Sequence, residues 1–488
     1  MEKNIYNIPK ENGMNVPGVV YASEKIYEQV KGDKTLEQVK NVAKLPGIIG
    51  KSIALPDCHQ GYGFCIGGVA AFDVDKGIIS PGGVGYDINC SVRLLKTNLK
   101  KEDILKKQKE ISKRLYEKIP SGVGRGSPFQ ISYNELDKLL LGGAKYMVEK
   151  GYGFKEDYLF SEEGGCMEGA DPSKVSERAK RRGIGQVGTI GSGNHFLEVQ
   201  FVDDIFDKKI AKIFGLSKNQ VVVMIHCGSR GLGHQVASDY IKKMEEKFFQ
   251  KKNFSTANFK KSNQPEEKYS IKNLPDRELV YAPINSKLGK GYLSAMACAA
   301  NFAFANKQLL TYWVREEFLK IFGAKTQVEV FYDVCHNIAK FEEHIVDGKK
   351  EKVCVHRKGA TRSFGPGKIE IPKIYRSVGQ PVLIPGSMGT ASYVLAGQEK
   401  SEELTFGSSV HGAGRLMSRS LALRKLDPKK IKKSLNKSGI EIGGGTLKGF
   451  AEEAPEVYKD IEEVVDVVNS LRISKKVARM KPLIVVKG

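Results

Sequence analysis

The chain has 488 residues, 41% of them hydrophobic, which is enough to bury a sizeable core in one large domain or a few smaller ones. Its formal charge of +22 favours polyanionic partners such as nucleic acid, although a basic surface also promotes solubility. The sequence contains neither a run of about eighteen apolar residues nor the pattern of a signal peptide, which excludes a membrane-spanning helix and predicts a cytoplasmic protein without membrane partners.

Periodic apolar residues predict helices in four stretches: 24–43, 101–118, 234–250 and 293–320. Strand-like apolar runs lie at 221–225, 328–332 and 381–384. Residues 241–276 are rich in Lys, Asn and Glu, which predicts a surface excursion that is part helix and part loop. Short glycine-rich loops separate the elements along the whole chain. We therefore predict an α+β fold in which residues 1–488 form one compact domain of mixed sheets and surrounding helices.

The cysteines are scattered and form neither a CxxC pair nor a regular framework, so free thiols are expected. They are Cys58, Cys65, Cys90, Cys166, Cys227, Cys298, Cys335 and Cys354. Most of them are expected to be buried.

The glycine-rich stretch 82–90 is the first candidate for chemistry. Asp87 and Cys90 are three residues apart, so a single turn can direct a carboxylate and a thiolate at one point. This pair suits a divalent transition metal better than magnesium or calcium. An ordinary turn followed by a buried cysteine would have the same sequence, and this stretch taken alone favours the ordinary turn.

Three histidines stand in small-residue loops next to strand-like runs: His195, His226 and His336. Each is expected at the C-terminal end of a strand, where loops converge. Together with Asp87 and Cys90 they form a mixed set of nitrogen, oxygen and sulfur donors. Five ligands suit two ions bridged by the thiolate, and such a pair can clamp a phosphoryl group. A single histidine at a strand end is more often structural, so the prediction depends on the whole set.

A fourth histidine, His411, has small neighbours in 406–415, and helix-compatible residues follow. Backbone N–H groups near a helix start, with Arg415 close by, form an anion pocket. A histidine there can act as a nucleophile or as a general acid or base, or it can simply donate a hydrogen bond to a phosphate. The loops 385–390 and 357–362 also suit a phosphate or nucleotide, although neither is a Walker A loop.

Eight pieces of sequence occur in a specific order from residue 56 onwards: PDCHQGYG (56–63), GYDINC (85–90), GSGNHF (191–196), HCGSRG (226–231), YDVCHN (332–337), PGSMGT (385–390), VHGAGR (410–415) and VVKG (485–488). In these pieces the chain resembles the RtcB family of RNA-splicing ligases. A set of this length and order is highly specific.

The resemblance implies a fold built around one active site that uses two Mn²⁺ ions and GTP. One ion would be bound by Asp87, Cys90 and His195. The other would be bound by Cys90, His226 and His336.

The resemblance also implies that His411 is a catalytic nucleophile, which takes GMP from GTP as a phosphoramidate. Asp57 would orient its imidazole. The guanylate would be held by residues from several loops: Asn194, His195, Phe196, Leu197, Glu198, His336, Asn337, Pro385, Gly386, Ser387, Met388, Ser392, His411, Gly412, Ala413, Gly414 and Lys487.

The implied reaction joins an RNA 3′-phosphate or 2′,3′-cyclic phosphate end to a 5′-hydroxyl end, as in tRNA splicing or RNA repair, with tRNA halves as expected substrates. GMP would pass from His411 to the RNA 3′-phosphate before the 5′-hydroxyl attacks. Arg230, Lys358 and Arg415 are candidates for contacts to RNA phosphate oxygens. A monomer is expected, and the sequence leaves open whether a helper protein takes part.

Four cysteines depart from the family pattern, because Cys58, Cys65, Cys227 and Cys335 stand where Val, Pro, Ser or Ala is expected. Cys227 and Cys335 each adjoin a proposed ligand. Neighbouring residues on a strand point to opposite faces, so these thiols are expected behind the site. An added metal ligand or an oxidation-sensitive switch is the alternative.

Two other functions are compatible with parts of the sequence. A metal-dependent RNA phosphoesterase that does not ligate would need the metal ligands but neither His411 nor Lys487. A non-catalytic RNA-binding protein would need none of these residues, and it fits poorly because all of them are present.

Overall fold

Two large β-sheets and the helices around them form the fold. The computed structural model describes residues 3–11, 13–122, 124–249 and 274–488. The strands of these residues are β1 (Ile5–Ile8), β2 (Gly18–Tyr21), β3 (Ile48–His59), β4 (Ile66–Asp73), β5 (Ile78–Ile79), β6 (Ser91–Lys100), β7 (Phe196–Ile205), β8 (Gln220–Cys227), β9 (Ala282–Pro283), β10 (Val328–Cys335), β11 (Asn337–Val346), β12 (Lys349–Lys358), β13 (Ala360–Arg362), β14 (Pro381–Ile384), β15 (Ser392–Gly397), β16 (Ser408–Val410), β17 (Glu441–Gly444) and β18 (Ser474–Lys487). The α-helices are α1 (Glu24–Val30), α2 (Thr35–Val42), α3 (Lys101–Leu105), α4 (Gln108–Lys118), α5 (Tyr133–Glu149), α6 (Lys155–Leu159), α7 (Glu177–Gly183), α8 (Lys208–Phe214), α9 (Arg230–Phe249), α10 (Lys287–Phe322), α11 (Lys400–Thr405), α12 (Arg419–Lys425), α13 (Pro428–Lys437), α14 (Leu447–Glu452) and α15 (Ile461–Ser470). The predicted α+β class is confirmed.

The first sheet has six strands in the order β1-β2-β3-β4-β12-β11. Its β2 and β3 are parallel, and its other neighbours pair antiparallel. Leu55 of β3 and Val464 of α15 belong to one buried hydrophobic cluster, so α15 covers one face of this sheet. Asp57 stands two residues before the end of β3, and the sheet therefore holds it on a rigid element.

The second sheet has the strand order β10-β6-β8-β7-β18-β15-β14, antiparallel along this path, and β17 pairs parallel with β18. Successive residues of its strands alternate between two cores. Leu95 and Val223 lie in one core, whereas Leu94 and Met224 lie in the other. Because both faces of the sheet are covered at β8, residues 221–225 form a continuous apolar run, which explains why they are visible as a strand in the sequence.

The long helix α10 lies in the larger core, where most of its residues are buried. It also carries charge into that core. Arg93 Nε of β6 lies 2.9 Å from Asp333 Oδ2 of β10, and Lys307 Nζ of α10 lies 3.6 Å from the same oxygen. All three side chains are fully buried. Leaving any one of these charges unpaired would be costly, so the network holds β6, β10 and α10 together just before His336.

Most of the predicted elements are confirmed, with small differences. The stretch 24–43 contains α1 and α2, because Gly32 lies in the turn that separates them, and the stretch 101–118 contains α3 and α4. Residues 241–249 of the predicted excursion belong to α9, whereas 250–273 lie outside the described residues. Among the helices described, none combines the length and apolar character needed to cross a membrane. The assignment of the whole chain to one domain stays a prediction.

Candidate active site

The register of the second sheet brings candidate ligands to one edge. Phe196 at the start of β7 pairs with His226 near the end of β8. Ser91 at the start of β6 pairs with Cys335 at the end of β10. His195 immediately precedes β7, Cys90 immediately precedes β6, and His336 immediately follows β10. These three residues are therefore neighbours in space.

The expectation that all three histidines end strands is wrong for His195, which immediately precedes β7. His226 and His336 do lie at the C-terminal ends of β8 and β10. Because β7 and β8 run in opposite directions, the start of one lies beside the end of the other. His195 therefore reaches the same edge from the other end of its strand.

The first candidate metal group contains Asp87, Cys90 and His195. His195 Nε2 lies 2.8 Å from Asp87 Oδ2 and 3.4 Å from Cys90 Sγ. On the other side of the ring, Nδ1 lies 3.0 Å from the carbonyl oxygen of Ile190. A carbonyl only accepts hydrogen bonds, so Nδ1 carries a proton, and Nε2 is the nitrogen that faces the other ligands of the group. The Cys90 N–H donates to the Asp87 carbonyl at 3.0 Å, which closes the predicted single turn.

The second candidate group contains Cys90, His226 and His336. His226 Nε2 lies 3.2 Å from Cys90 Sγ and 3.3 Å from His336 Nε2. The His336 N–H donates to the Cys90 carbonyl at 3.0 Å, so the two loops are also joined through their backbones. Cys90 thus belongs to both groups, as a bridging thiolate would.

Burial controls the protonation of these side chains. It lowers the pKa of His226 and of His336 well below the usual range, so both rings are neutral at pH 7 and have lone pairs available. Burial also disfavours the charged form of His195, but Cys90 and Asp87 outweigh it and raise that pKa. Burial raises the pKa of the Cys90 thiol. A transition-metal ion suits this set of donors and would stabilise the thiolate, so the residues fit a metal site.

Two residues without ligand chemistry support the groups. A Cβ atom at Gly228 would overlap the Asp87 carboxylate, so only glycine allows this close approach. Asn306 of α10 donates from Nδ2 to the carbonyl oxygens of Thr189 and Gly228 at 3.1 and 3.4 Å. It thereby ties the loop before β7 to the loop after β8. Asn306 was not predicted from the sequence, where its signal is a polar side chain within the apolar run of α10.

His411 follows β16 and is held by Asp57 of β3. Asp57 Oδ2 lies 2.6 Å from His411 Nδ1 and accepts hydrogen bonds from the N–H groups of His411 and Gly412 at 2.9 and 3.3 Å. A carboxylate only accepts, so Nδ1 carries the proton and Nε2 keeps its lone pair. The imidazole of His411 lies 5.1 Å from that of His336, measured between ring centroids. The histidine therefore stands next to the second metal group.

His411 lines a cavity of about 170 Å³ beside the metal groups. Predicted nucleotide-binding residues form much of its wall: Asn194, Phe196, Pro385, Gly386, Ser387, Met388, Ala413, Gly414 and Lys487. Other lining residues were not assigned to the site from sequence: His59, Ile66, Arg419, Glu453 and Tyr458. They come from distant parts of the chain. His59 stands in the motif 56–63, whereas the local sequence of the other four does not distinguish them.

Glu198 is a buried carboxyl two residues after Phe196, which lines this cavity. Its Oε2 accepts a hydrogen bond from Gln200 Nε2 at 2.6 Å, whereas Oε1 has no partner among the described residues. Burial raises the pKa of Glu198 to about 7, although Gln200 and Lys487 oppose this shift. Lys487 is buried too, and burial lowers the pKa of its ammonium. Glu198 on β7 can therefore accept a further hydrogen bond, and Lys487 on β18 can donate one.

The other predicted nucleotide contacts have structural partners. Ser392 Oγ accepts a hydrogen bond from the Gly386 N–H at 3.1 Å and so supports the 385–390 loop. Asn337 Nδ2 donates to the Asp87 carbonyl at 3.1 Å. The Leu197 side chain lies in the core on the opposite face of β7 from its neighbours, as alternation along a strand requires.

The three candidates for RNA phosphate contacts have different surroundings. Arg415 lines the cavity and contacts Glu453 Oε1 at 3.3 Å. Arg230 lies on the other side of the metal groups, with Nε 3.3 Å from Thr189 Oγ1. Lys358 is buried, and its ammonium donates to the carbonyl oxygens of Tyr62 and Phe64. A phosphate at Lys358 would have to replace one of these contacts.

The cysteines are free thiols, as expected. Cys227 and Cys335 are buried, and Cys227 Sγ lies 3.2 Å from the carbonyl oxygens of both Thr189 and Ile190. Within the described residues, neither cysteine belongs to the two metal groups.

A larger cavity, of about 730 Å³, lies at the other end of β10. Its wall is largely apolar and includes Phe154 and Leu319. Its buried charges, Asp157 and Arg315, pair with each other at 2.5 Å. The smaller cavity is the candidate active site, because it alone of these two is lined by His411 and by a metal-group residue, His226.

The fold holds two candidate metal-binding groups that share one thiol, beside a histidine that a carboxylate fixes. These features define the class of protein: an α+β protein with a candidate metal centre. Residues 38–488 match the family described as "tRNA-splicing ligase RtcB", so the chain belongs to that family.

Three relatives described as "tRNA-splicing ligase RtcB" are similar over nearly their whole length. The protein of Thermococcus kodakarensis is 54% identical over 100% of this chain and 98% of its own. That of Methanococcus maripaludis is 52% identical over 97% of this chain and 95% of its own. That of Archaeoglobus fulgidus is 51% identical over 99% of this chain and 97% of its own.

Proposed function

We propose that this protein is an RNA ligase that joins a 3′-phosphate or 2′,3′-cyclic phosphate end to a 5′-hydroxyl end, with GTP and Mn²⁺. The observation that carries the proposal is the pairing of His411 with Asp57 at 2.6 Å, at the wall of a cavity that His226 of the second metal group also lines. Membership of the tRNA-splicing ligase RtcB family supports RNA as the substrate, with tRNA halves as the expected form.

The position of the proton makes His411 a nucleophile. Its Nε2 lone pair attacks the α-phosphorus of GTP, the bond from that phosphorus to the bridging oxygen breaks, and pyrophosphate leaves. Asp57 stabilises the positive charge that develops on the imidazole and keeps the proton on Nδ1. An oxygen of the RNA 3′-phosphate then attacks the same phosphorus, and the P–N bond breaks. Finally the 5′-hydroxyl oxygen attacks the RNA phosphorus, loses its proton, and GMP leaves.

The two metal groups are proposed to hold Mn²⁺, one ion through Asp87, Cys90 and His195 and the other through Cys90, His226 and His336. When bound, the ions would neutralise charge on the phosphate oxygens. The carboxylate suits Mn²⁺, whereas imidazole and thiolate also suit other transition metals. Arg230 and Arg415 flank the groups and are proposed to bind RNA phosphate oxygens, and Lys358 is proposed to join them.

The proposal is tested by incubating the protein with α-labelled GTP and Mn²⁺, and then with RNA that carries 3′-phosphate and 5′-hydroxyl ends. We expect an acid-labile label on the protein, because phosphoramidates hydrolyse in acid, and joined RNA in the second step. His411→Ala should give neither product. A His59→Ala variant is the matched control, since His59 also lines the cavity but is not held by the Asp57 carboxylate.

The same assay separates the alternative functions. A phosphoesterase would remove the 3′-phosphate without label or joined product, and a non-catalytic RNA-binding protein would leave the ends unchanged. Active protein that joins RNA without ever carrying the label would contradict the proposed role of His411.

The buried carboxyl of Glu198 predicts a pH dependence of GTP binding. We propose that its ionised form accepts hydrogen bonds from the N–H groups of guanine. Its pKa of about 7 lies above the usual value, so the group is mostly protonated at pH 6 and mostly ionised at pH 8. Because the ionised fraction rises about tenfold over this range, GTP affinity should rise by about the same factor.

Calorimetric titration of the protein with GTP at pH 6 and pH 8 measures this change. Glu198→Gln should bind GTP more weakly and lose the tenfold dependence. Because the nucleotide titrates in the same way with both proteins, comparing them separates the effect of Glu198 from that of the nucleotide. The same pH dependence in both proteins would exclude Glu198 as its source.

A further inference from the structure

Seven exposed cations on α12 and α13 form what we call the basic ridge: Arg424, Lys425, Lys429, Lys430, Lys432, Lys433 and Lys437. Asp427 is the only acidic residue of 419–440, and its side chain caps the start of α13. Nearby Arg419 and Lys448 have acidic partners, Glu453 and Glu452. The ridge cations form no ion pair within the described residues. The ridge therefore carries an unbalanced positive charge.

The inner side of the ridge packs against the cavity wall. Ile431 and Leu435 of α13 share a buried cluster with Met388, which lines the cavity. The contact is close, because a Cβ atom at Gly389 would lie 2.6 Å from Leu435 Cδ2. Arg419, the first residue of α12, also lines the cavity. The ridge therefore begins at the rim of the candidate active site and runs away from it over the surface.

The outer side of the ridge is concave. A shallow depression of about 480 Å³ lies between α13 and α14, lined by Lys429, Lys432, Lys433, Asn436, Lys437 and Leu447. The lysines along it are three or four residues apart, so they follow one another along the helix at roughly 5–6 Å. A flexible chain with regularly spaced negative charges fits this groove better than a compact anion does.

The charge also weakens the helix that carries it. Lys429 and Lys430 stand in the first turn of α13, where the helix dipole disfavours cations. The pairs Lys429–Lys433 and Lys433–Lys437 are like charges at a spacing of four residues, which also repel. A bound polyanion would offset this repulsion, whereas solubility alone would be served equally by charges spread over the surface.

We propose that the basic ridge binds the sugar-phosphate backbone of the RNA whose end is in the cavity. This inference rests on the proposed function, because it assumes an RNA end beside His411. Arg419 links the two regions, so the RNA would leave the cavity past this residue and follow α12 and α13. Contacts to phosphate carry no sequence information, which suits a protein that selects RNA by the chemistry of its ends.

The test compares two variants that lose the same charge. The ridge variant is Lys429→Gln/Lys432→Gln/Lys433→Gln. The control is Lys208→Gln/Lys209→Gln/Lys212→Gln on α8, whose lysines are also exposed. His195 precedes β7 and α8 follows it, so the strand separates them. A strand of ten residues spans about 30 Å, which places α8 far from the site. Fluorescence anisotropy with a 20-nucleotide RNA ending in a 3′-phosphate gives the affinity between 50 and 200 mM KCl.

The ridge variant should bind this RNA 10- to 100-fold more weakly near 0.1 M salt, as expected on the order of magnitude for three lost phosphate contacts. The slope of log affinity against log salt should become shallower by about 2. The control variant should match the wild type, and Lys429→Arg/Lys432→Arg/Lys433→Arg should keep the affinity. Equal affinities and slopes for the ridge and control variants, whether both unchanged or both weakened, would overturn the inference.

Labelling with GTP separates this inference from the proposed function, because it needs no RNA. The ridge variant should take the label on His411 at the wild-type rate, which also shows that it is folded. Absence of the label from the wild-type protein would count against the proposed function, whereas the RNA affinities alone decide the role of the ridge.

Discussion

The Cys90→Ala variant is expected to lose bound metal and to join RNA ends at least about 1,000-fold more slowly than the wild type. The physical reason is that Cys90 is shared by the two candidate groups, with its Sγ 3.4 Å from His195 Nε2 and 3.2 Å from His226 Nε2. Removing it leaves each group with two donors. Metal content after dialysis against Mn²⁺ and a single-turnover joining assay measure the two effects.

The matched control is Cys354→Ala, which removes a buried thiol from β12 outside both groups. It should keep the metal content and the joining rate, so that a defect of Cys90→Ala is not assigned to the loss of a buried sulfur alone. Joining by Cys90→Ala at the wild-type rate would refute the bridged arrangement.

The Asp57→Asn variant is expected to slow the labelling of His411 by about 1,000- to 10,000-fold, as happens when another catalytic histidine loses its orienting carboxylate. Because two backbone N–H groups also donate to Oδ2, the amide oxygen should take its place, and the neutral amide no longer stabilises the positive charge that develops on the imidazole. The loss should lie in the labelling rate rather than in GTP affinity. Rapid-quench measurement of the label at several GTP concentrations separates the two.

Asp33→Asn provides the control for this substitution. Asp33 is an exposed carboxylate that accepts a hydrogen bond from the Gln60 N–H at 3.0 Å, close to the end of β3, but it does not contact His411. This variant should be labelled at the wild-type rate. If Asp57→Asn, folded as judged by its melting temperature, is labelled equally fast, the carboxylate does not orient the nucleophile.

Local sequence could single out the five candidate ligands, because each stands next to an apolar run or within a glycine-rich loop, whereas their division into two groups came from the family resemblance. It was harder to predict from which end of its strand each ligand reaches the site. His195 was expected at a strand end but precedes β7, and only the antiparallel pairing with β8 explains how it meets His226. Strand order depends on contacts between distant residues, which local periodicity does not reveal.

The pairing of His411 with Asp57 joins residues 354 positions apart. Local sequence suggested a role for His411, but its partner came from the family resemblance. Asn306 and Glu453 were missed, because each is an ordinary polar residue in its own helix or loop and acquires its role only through tertiary contacts. Lys358 is the opposite case. Its loop suggested a contact to RNA phosphate, but its ammonium is buried against carbonyl oxygens.

The central place of β18 in the second sheet has a consequence for folding. This strand pairs with β7 on one side and with β15 on the other, so it joins two parts of the sheet. The pair Glu198 and Val485 is separated by more than half of the chain. Loop closure of this length slows folding, and the unpaired edges of β7 and β15 would be prone to aggregate until it is complete. Lys487 is brought to the cavity wall by the pairing of β18 with β7, so a molecule in which this pairing has not formed has an incomplete cavity.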